Sequence, residues 1–380
     1  LSLNETENHP PRFQYPRHLL FTVLSSMGLQ LSNEAWTARR RFALLALAVT
    51  AVLISWGGWV TSINAGMAVP DWPSSFGSYD PIRTGMPDWY TYAPVLAEHG
   101  HRLLGALVGF LTLILAVWTY LADPRRWARR LGIAALVLVS LQGLLGGLRV
   151  TENSILLAAI HACTAQIFVA VLASLALSTT RMWRTSVSSL SASGPAATLR
   201  NTAAATLGLL YMQIVLGAIL RQFGDGIHGL YAALHIAGAL VVSGLVIATF
   251  VLVQKHFATN RGLRLGAWAM LITLGVQFTL GLAAYVIMVN DAAQSLRSLS
   301  QVILASAHVL VGAVLMATTT ATTLLSTRAP TDATDVPTPD VGTSRPAVAR
   351  TTGDHARREP VLSDAASRPR STPAGSGASP

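Results

Sequence analysis

Eight runs of about twenty residues or more in this chain are almost free of charge and are built mainly from Leu, Ala, Val, Ile and Gly. A run of that length at about 1.5 Å per residue crosses the roughly 30 Å of hydrocarbon in a bilayer. There every backbone N–H and C=O must find its partner within the protein, and a helix does this locally. The pattern predicts spanning helices over 41–64, 98–122, 131–150, 155–179, 201–220, 229–253, 265–288 and 302–326. Composition agrees: 52% of the 380 residues are apolar and only 12% charged. An average soluble domain carries about 25% charge, so this chain lacks the groups to solvate a globular surface. The expected fold class is an all-α polytopic membrane protein.

Orientation follows from the basic residues in short loops. Arg39, Arg40 and Arg41 precede the first run, and Arg125, Arg126, Arg129 and Arg130 lie between the second and third. Arg181, Arg184 and Arg200, then Lys255, Arg261 and Arg264, mark the next two loops on that side, and Arg328 follows the last run. The alternate loops hold Asp71, Asp80, Asp88, Glu152, Asp225 and Asp291, with Arg83 and Arg297 as exceptions. Both termini are therefore expected in the cytoplasm. The net charge of +10 reads as a topology signal and not as a nucleic-acid footprint. The first forty residues include Glu5, Glu7 and Glu34 and do not read as a signal peptide.

The expected organisation is a cytoplasmic segment 1–40, a four-helix half 41–180, a linker 181–200, a second four-helix half 201–326 and a disordered tail 327–380 rich in Pro, Ser, Thr and Arg. Gln142-x-x-x-Gly146, Gln213-x-x-x-Gly217 and Gln277-x-x-x-Gly281 recur in the third, fifth and seventh runs, and Gly57-Gly58 holds a similar place in the first. Such small residues let membrane helices approach closely. Their recurrence supports two parallel pseudo-symmetric four-helix bundles, related by an axis along the membrane normal.

Four histidines, His101, His161, His235 and His308, fall one to each even-numbered run, all near its outer start. An ionisable side chain at that depth is costly. A hydrogen-bonded neutral imidazole explains any one of them, but explains four at matching depths poorly. Tetrahedral zinc takes four ligands, whereas a pair of imidazoles from two helices suits the two axial positions of haem iron. Arg149 and Arg221, at the outer ends of the third and fifth runs, are candidate partners for haem propionates, or cations snorkelling to the interface. Glu98 stands three residues before His101 on one helix face. A carboxylate there is explained by the helix dipole or serves as a proton acceptor. The second half has Tyr231-Ala232-Ala233-Leu234 before His235, with no acid. His99 and His228 read as outer-face polar groups. The single cysteine, Cys163, excludes an internal disulfide and a thiolate cage.

These residues together resemble the haem A synthase family, across about 41–326. The resemblance is carried by Gly57-Gly58-Trp59-Val60-Thr61, the loop Met67-Ala68-Val69-Pro70-Asp71-Trp72-Pro73, Glu98-His99-Gly100-His101-Arg102, and the placing of His161, His235 and His308. It implies oxidation of the position-8 methyl group of haem O to a formyl group, giving haem A for terminal oxidases. It further implies that His101 and His161 hold the substrate haem with Glu98 in the reaction, and that His235 and His308 hold a resident haem b. The expected partners are membrane lipid, haem O and the haem O synthase that supplies it, and an electron acceptor the sequence does not identify. Homo-oligomerisation stays open, and the expected location is a bacterial plasma membrane. Many bacterial relatives carry a cysteine pair in the first outer loop; residues 65–97 here contain none.

Two other functions compete. A bis-histidine cytochrome b would carry electrons without porphyrin chemistry, though a transmembrane wire needs haems near both faces and leaves Glu98 unexplained. A two-repeat transporter would use the histidines as proton relays and predicts broken helices or charges near mid-membrane.

Overall fold

The apolar runs all become helices, and all but the fourth helix are longer than their runs. A computed structural model describes residues 33–185, 194–290 and 297–328. The spanning helices are α1 (Asn33–Ser62), α2 (Ala93–Ala122), α3 (Arg126–Thr151), α4 (Ile155–Ser178), α5 (Gly194–Phe223), α6 (Gly229–His256), α7 (Arg261–Asn290) and α8 (Leu299–Ser326). All eight are long and apolar enough to cross a membrane, each unbroken over 24 to 30 residues. That continuity removes the broken helices a transporter would need. A five-residue helix, Arg181–Thr185, follows α4, and a single 3-10 turn, Trp89–Thr91, precedes α2. Among the described residues the only β pairing is an isolated bridge, Ser75 to Ser78.

The sequence pattern sees only the hydrocarbon-spanning part of each helix, so the observed ends differ. α1 starts at Asn33, not at residue 41, and carries Arg39, Arg40 and Arg41 on its first turns. α2 starts at Ala93, not at residue 98, with Pro94 in the first turn, where a missing N–H costs nothing. α5 starts at Gly194, inside the expected linker. Residues 1–32, 186–193 and 329–380, which hold most of the expected N-terminal segment, the middle of the linker and nearly all of the tail, lie outside the described residues.

Consecutive helices pack side by side, and α1, α4, α5 and α8 also pack across the middle of the molecule. With lipid as solvent this association rests on close van der Waals fit, which small residues permit. At Gly58 of α1 an added Cβ would lie 3.1 Å from the Cα of Ser306 on α8. Below the histidines, Ala43, Ala46, Val108, Leu115, Ala135, Phe168 and Leu172 fill the space between α1 and α4. Leu210, Val242, Val246, Met270, Leu315 and Met316 do the same between α5 and α8. Many large apolar side chains, such as Phe110, Leu240 and Ile272, stay exposed on the outside, as a lipid-facing surface requires.

At the arginine-rich end, Arg39 of α1 is buried against Asp123, which follows α2, with Nη2 to Oδ2 at 2.7 Å. Arg125 pairs with the same carboxylate at 2.7 Å. Burial raises the Asp123 carboxyl, but the hydrogen bonds and charge of Arg125, with the charge of Arg39, outweigh it and hold the group below the usual carboxylate range. The Trp36 ring takes the Arg39, Arg125 and Arg184 guanidiniums within 4.2, 5.1 and 4.6 Å of its centre. These contacts fix the depth of α1 relative to α2, and so the height of the residues at the other end.

Candidate haem-binding site

The four histidines meet as two pairs. His101 on α2 faces His161 on α4, with ring centroids 6.5 Å apart and planes at 76°. His235 on α6 faces His308 on α8 at 6.3 Å and 73°. A metal–nitrogen bond of about 2.0–2.1 Å, plus about 1.1 Å from nitrogen to ring centre, places two imidazoles on opposite sides of one metal about 6.2–6.4 Å apart. Both pairs therefore stand at the spacing of two axial ligands. Among the described residues, no three His, Cys, Asp or Glu side chains come together as a metal cage. The site residues fit an iron porphyrin taken between two imidazoles, and they do not fit tetrahedral zinc.

The motif glycines make these pairs. A Cβ added at Gly57, Gly146, Gly217 or Gly281 would point at Cε1 of His101, His161, His235 or His308, at 3.0, 3.4, 2.9 and 2.7 Å respectively. Each odd-numbered helix thus offers a flat spot to the imidazole of the next helix. The residue four places earlier, one helical turn away, carries the hydrogen bonds. Nδ1 of His308 donates to the Gln277 carbonyl at 3.1 Å, while the Gln277 amide donates to Nε2 at 3.1 Å. The Gln213 amide nitrogen donates to the His235 carbonyl at 2.7 Å and lies 3.0 Å from Nδ1. In the amide orientation that satisfies both its ends, Gln142 donates to the His161 carbonyl at 3.1 Å and to Nδ1 at 3.2 Å. In the sequence alone this recurring Gln-x-x-x-Gly signifies helix packing and duplication. Its further role, packing and orienting each histidine, depends on which helix faces which.

Above the first pair lies the loop between α1 and α2. Glu98, 5% exposed, accepts from the Val69 amide on Oε2 at 2.8 Å and pairs through Oε1 with Arg102 at 2.9 Å. The same guanidinium donates to the carbonyls of Val69, Asp71 and Ser74 at 2.9, 2.7 and 3.0 Å. Asp71 in turn accepts from the Phe76 and Gly77 amides and the Ser74 hydroxyl at 2.7, 2.9 and 2.5 Å. Burial raises its carboxyl, and these bonds together outweigh that and keep it below the usual range. Trp72 lies flush on Gly147 of α3, where any side chain would overlap the indole. The Val-Pro-Asp-Trp-Pro loop is thereby held over the end of α3, next to Gly146 and its histidine.

Arg149 sits beside the first pair, donates to the Gly66 carbonyl at 3.0 Å, and has Glu98 as its facing acid. Arg221 sits near His308 and donates across the molecule to the Ser62 hydroxyl of α1 at 2.7 Å. His99 belongs to neither pair. It is 3% exposed, its Nε2 donates to the Pro81 carbonyl at 3.0 Å, Nδ1 meets the Ser75 hydroxyl at 3.1 Å, and Trp89 packs on its edge. It is a strut of the loop. His228 caps α6 and packs on Tyr231 at 4.6 Å. Arg102 and Trp72, whose contacts no sequence signal revealed, turn out to hold the loop.

The fold and site define a class: a membrane protein with eight spanning helices among the described residues and two opposed histidine pairs near one end of their bundle. Residues 40–230 match the family described as cytochrome oxidase assembly protein (COX15-CtaA), and the chain belongs to that family. It is 36% identical over 111 residues to a heme A synthase of Symbiobacterium thermophilum, covering 29% of this chain and 34% of the relative. It is 31% identical over 105 residues to a heme A synthase of Alkalihalophilus pseudofirmus, covering 27% and 33% respectively. The matched stretches span about a third of the length of these relatives.

Proposed function

We propose that this chain is a haem A synthase, an oxidoreductase that converts the position-8 methyl group of haem O to a formyl group in a bacterial plasma membrane, with both termini in the cytoplasm. The observation that carries this reading is a pair of axial-spaced histidine couples, of which only one has a buried carboxylate within one helical turn. In this reading the two halves are four-helix bundles related by an axis along the membrane normal. His101 and His161 hold the substrate, and His235 and His308 hold a resident haem b, whose iron supplies one-electron redox chemistry when bound.

The chain's own residues then have defined tasks. The paired imidazoles would hold the iron porphyrin between neighbouring helices. Arg149 and Arg221 are the cations for its propionates. The Arg102-clamped loop keeps bulk water away from the first pair, and exclusion of water strengthens every charge–dipole contact there. Glu98 takes the proton lost from the methyl carbon. One lone pair on each of its oxygens is engaged by Arg102 or the Val69 amide, and the other is open to a proton. Turning the methyl into a formyl group takes its oxygen from one water molecule and releases four protons and four electrons; Glu98 accepts the protons in turn and passes them to water, and the electrons leave to an acceptor outside this chain.

The test is pigment analysis of the purified protein after supply of haem O. Wild type yields haem A, and Glu98→Gln retains bound haem but yields none. Full conversion by Glu98→Gln removes the carboxylate from the reaction. A colourless wild-type protein, or one holding haem b alone and converting nothing, ends the reading.

A further inference from the structure

The side of the bundle that holds the histidine pairs is poor in basic loop residues, and its two exceptions differ. Arg83 is exposed and stands beside Asp80. Arg297, just before α8, is half-buried, and its Nη1 is fully buried and makes no hydrogen bond. Its charged neighbour is a second cation, Arg221 of α5, and among the described residues neither guanidinium forms an ion pair with a carboxylate. Helix packing sets the height of Arg221. Gly58 of α1 lies against Ser306 of α8, and Ser62, four residues further along α1, accepts from Arg221 Nη2 at 2.7 Å. That guanidinium therefore stands about one turn, or about 5.4 Å, outward of Ser306, level with the first turn of α8 and between Arg297 and His308. The first pair is built differently. There Arg149 has Glu98 as its facing acid, and Glu98 is also bound to Arg102.

A charge taken out of water is normally paired, because desolvating it alone is costly. Two neighbouring guanidiniums without a protein anion call for a ligand that carries two negative charges. The line joining His235 to His308 runs across the bundle from α6 to α8, so a flat macrocycle between them would turn one edge toward the outer end and both cations. We infer that Arg297 and Arg221 together clamp the two carboxylates of the porphyrin held by His235 and His308, so that this pair selects a dicarboxylate macrocycle. Arg297 supplies Nη1, and Arg221 supplies the donors that Ser62 does not engage. This rests on the reading that each pair binds an iron porphyrin. Within it, Arg297 is a binding residue, and its charge has a physical reason to persist on the side where basic residues are few.

The test uses the full chain in detergent carrying His101→Ala and His161→Ala, which confines bis-imidazole binding to the second pair. This background protein is titrated with iron protoporphyrin and with its dimethyl ester, which keeps the ring and the iron and removes both negative charges. Affinity is read from the growth of the six-coordinate absorption spectrum. The background is expected to bind the diacid more tightly than the diester. Arg297→Gln should weaken the diacid by about 10–100-fold, the worth of a hydrogen bond between charged groups, and leave the diester unchanged. Arg83→Gln should alter neither. Equal affinity of the background for the two macrocycles overturns the inference and leaves the haem reading standing. So does an Arg297→Gln protein that binds the diacid as before, or one that loses both macrocycles equally, which would mark a purely structural role. If Arg297→Gln does not fold, Arg297→Met, apolar and of similar length, is judged by the same criteria. No six-coordinate spectrum with either macrocycle overturns the haem reading, and this inference with it.

Discussion

Replacing the motif glycines by alanine should damage the histidine pairs in a graded order set by the gap at each. An unstrained carbon–carbon contact needs about 3.5–4.0 Å. The new methyl would stand 2.7 Å from His308 at position 281, 2.9 Å from His235 at 217, 3.0 Å from His101 at 57 and 3.4 Å from His161 at 146. Each ring must therefore retreat by about 0.8, 0.6, 0.5 and 0.1 Å respectively to reach the near edge of that range. Metal–ligand distances tolerate about 0.2 Å, so only Gly146→Ala stays within reach of an undistorted bond. The stability ledger runs differently: alanine in a helix gains about 0.8–1 kcal/mol over glycine, while overpacking costs about 1–3 kcal/mol. Folding then loses at most about 2 kcal/mol while the site is disturbed. Titration of each purified variant with iron protoporphyrin should show Gly281→Ala losing about 10–100-fold in affinity at the second pair and Gly146→Ala close to wild type. Equal affinity in these two variants, or Gly146→Ala as the weaker binder, would refute the argument from contact distance.

Asp123→Asn leaves the buried Arg39 without its anion, and breaking such a pair costs about 3–5 kcal/mol; thermal unfolding in detergent should fall well below wild type. Arg102→Leu removes the clamp on the Val69, Asp71 and Ser74 carbonyls. Limited proteolysis should then cut within residues 65–92 many times faster, while cleavage elsewhere is unchanged. The Asp71 carboxyl is depressed in the folded protein, so its bonds contribute fully above the unfolded value near about 3.9. That contribution is lost as pH falls through the lower folded value. Loop protection against hydrogen exchange should hold at pH 5 and weaken only on further acidification; Asp71→Asn should remove this acid dependence.

What the sequence determined by itself is the set of spanning helices and the presence of one histidine near the start of each even-numbered one. The reason is local: in lipid a backbone must satisfy itself, so twenty apolar residues have one outcome whatever surrounds them. The Glu98–His101 spacing and the lack of an acid before His235 are local in the same sense. Helix ends such as Asn33 and Ala93 were not legible, because helices extend past the hydrocarbon where hydropathy no longer marks them. The pairing of His101 with His161 and of His235 with His308, the glycines beneath the rings, and the Arg102 clamp were decided only by tertiary structure. They join residues dozens of positions apart, and they depend on the height and rotation of each helix, which packing at the far end helps to set. His99 shows the same limit from the other side. Two residues from His101 in the chain, it faces the loop instead of a partner imidazole, because a helix turns about 200° over two residues.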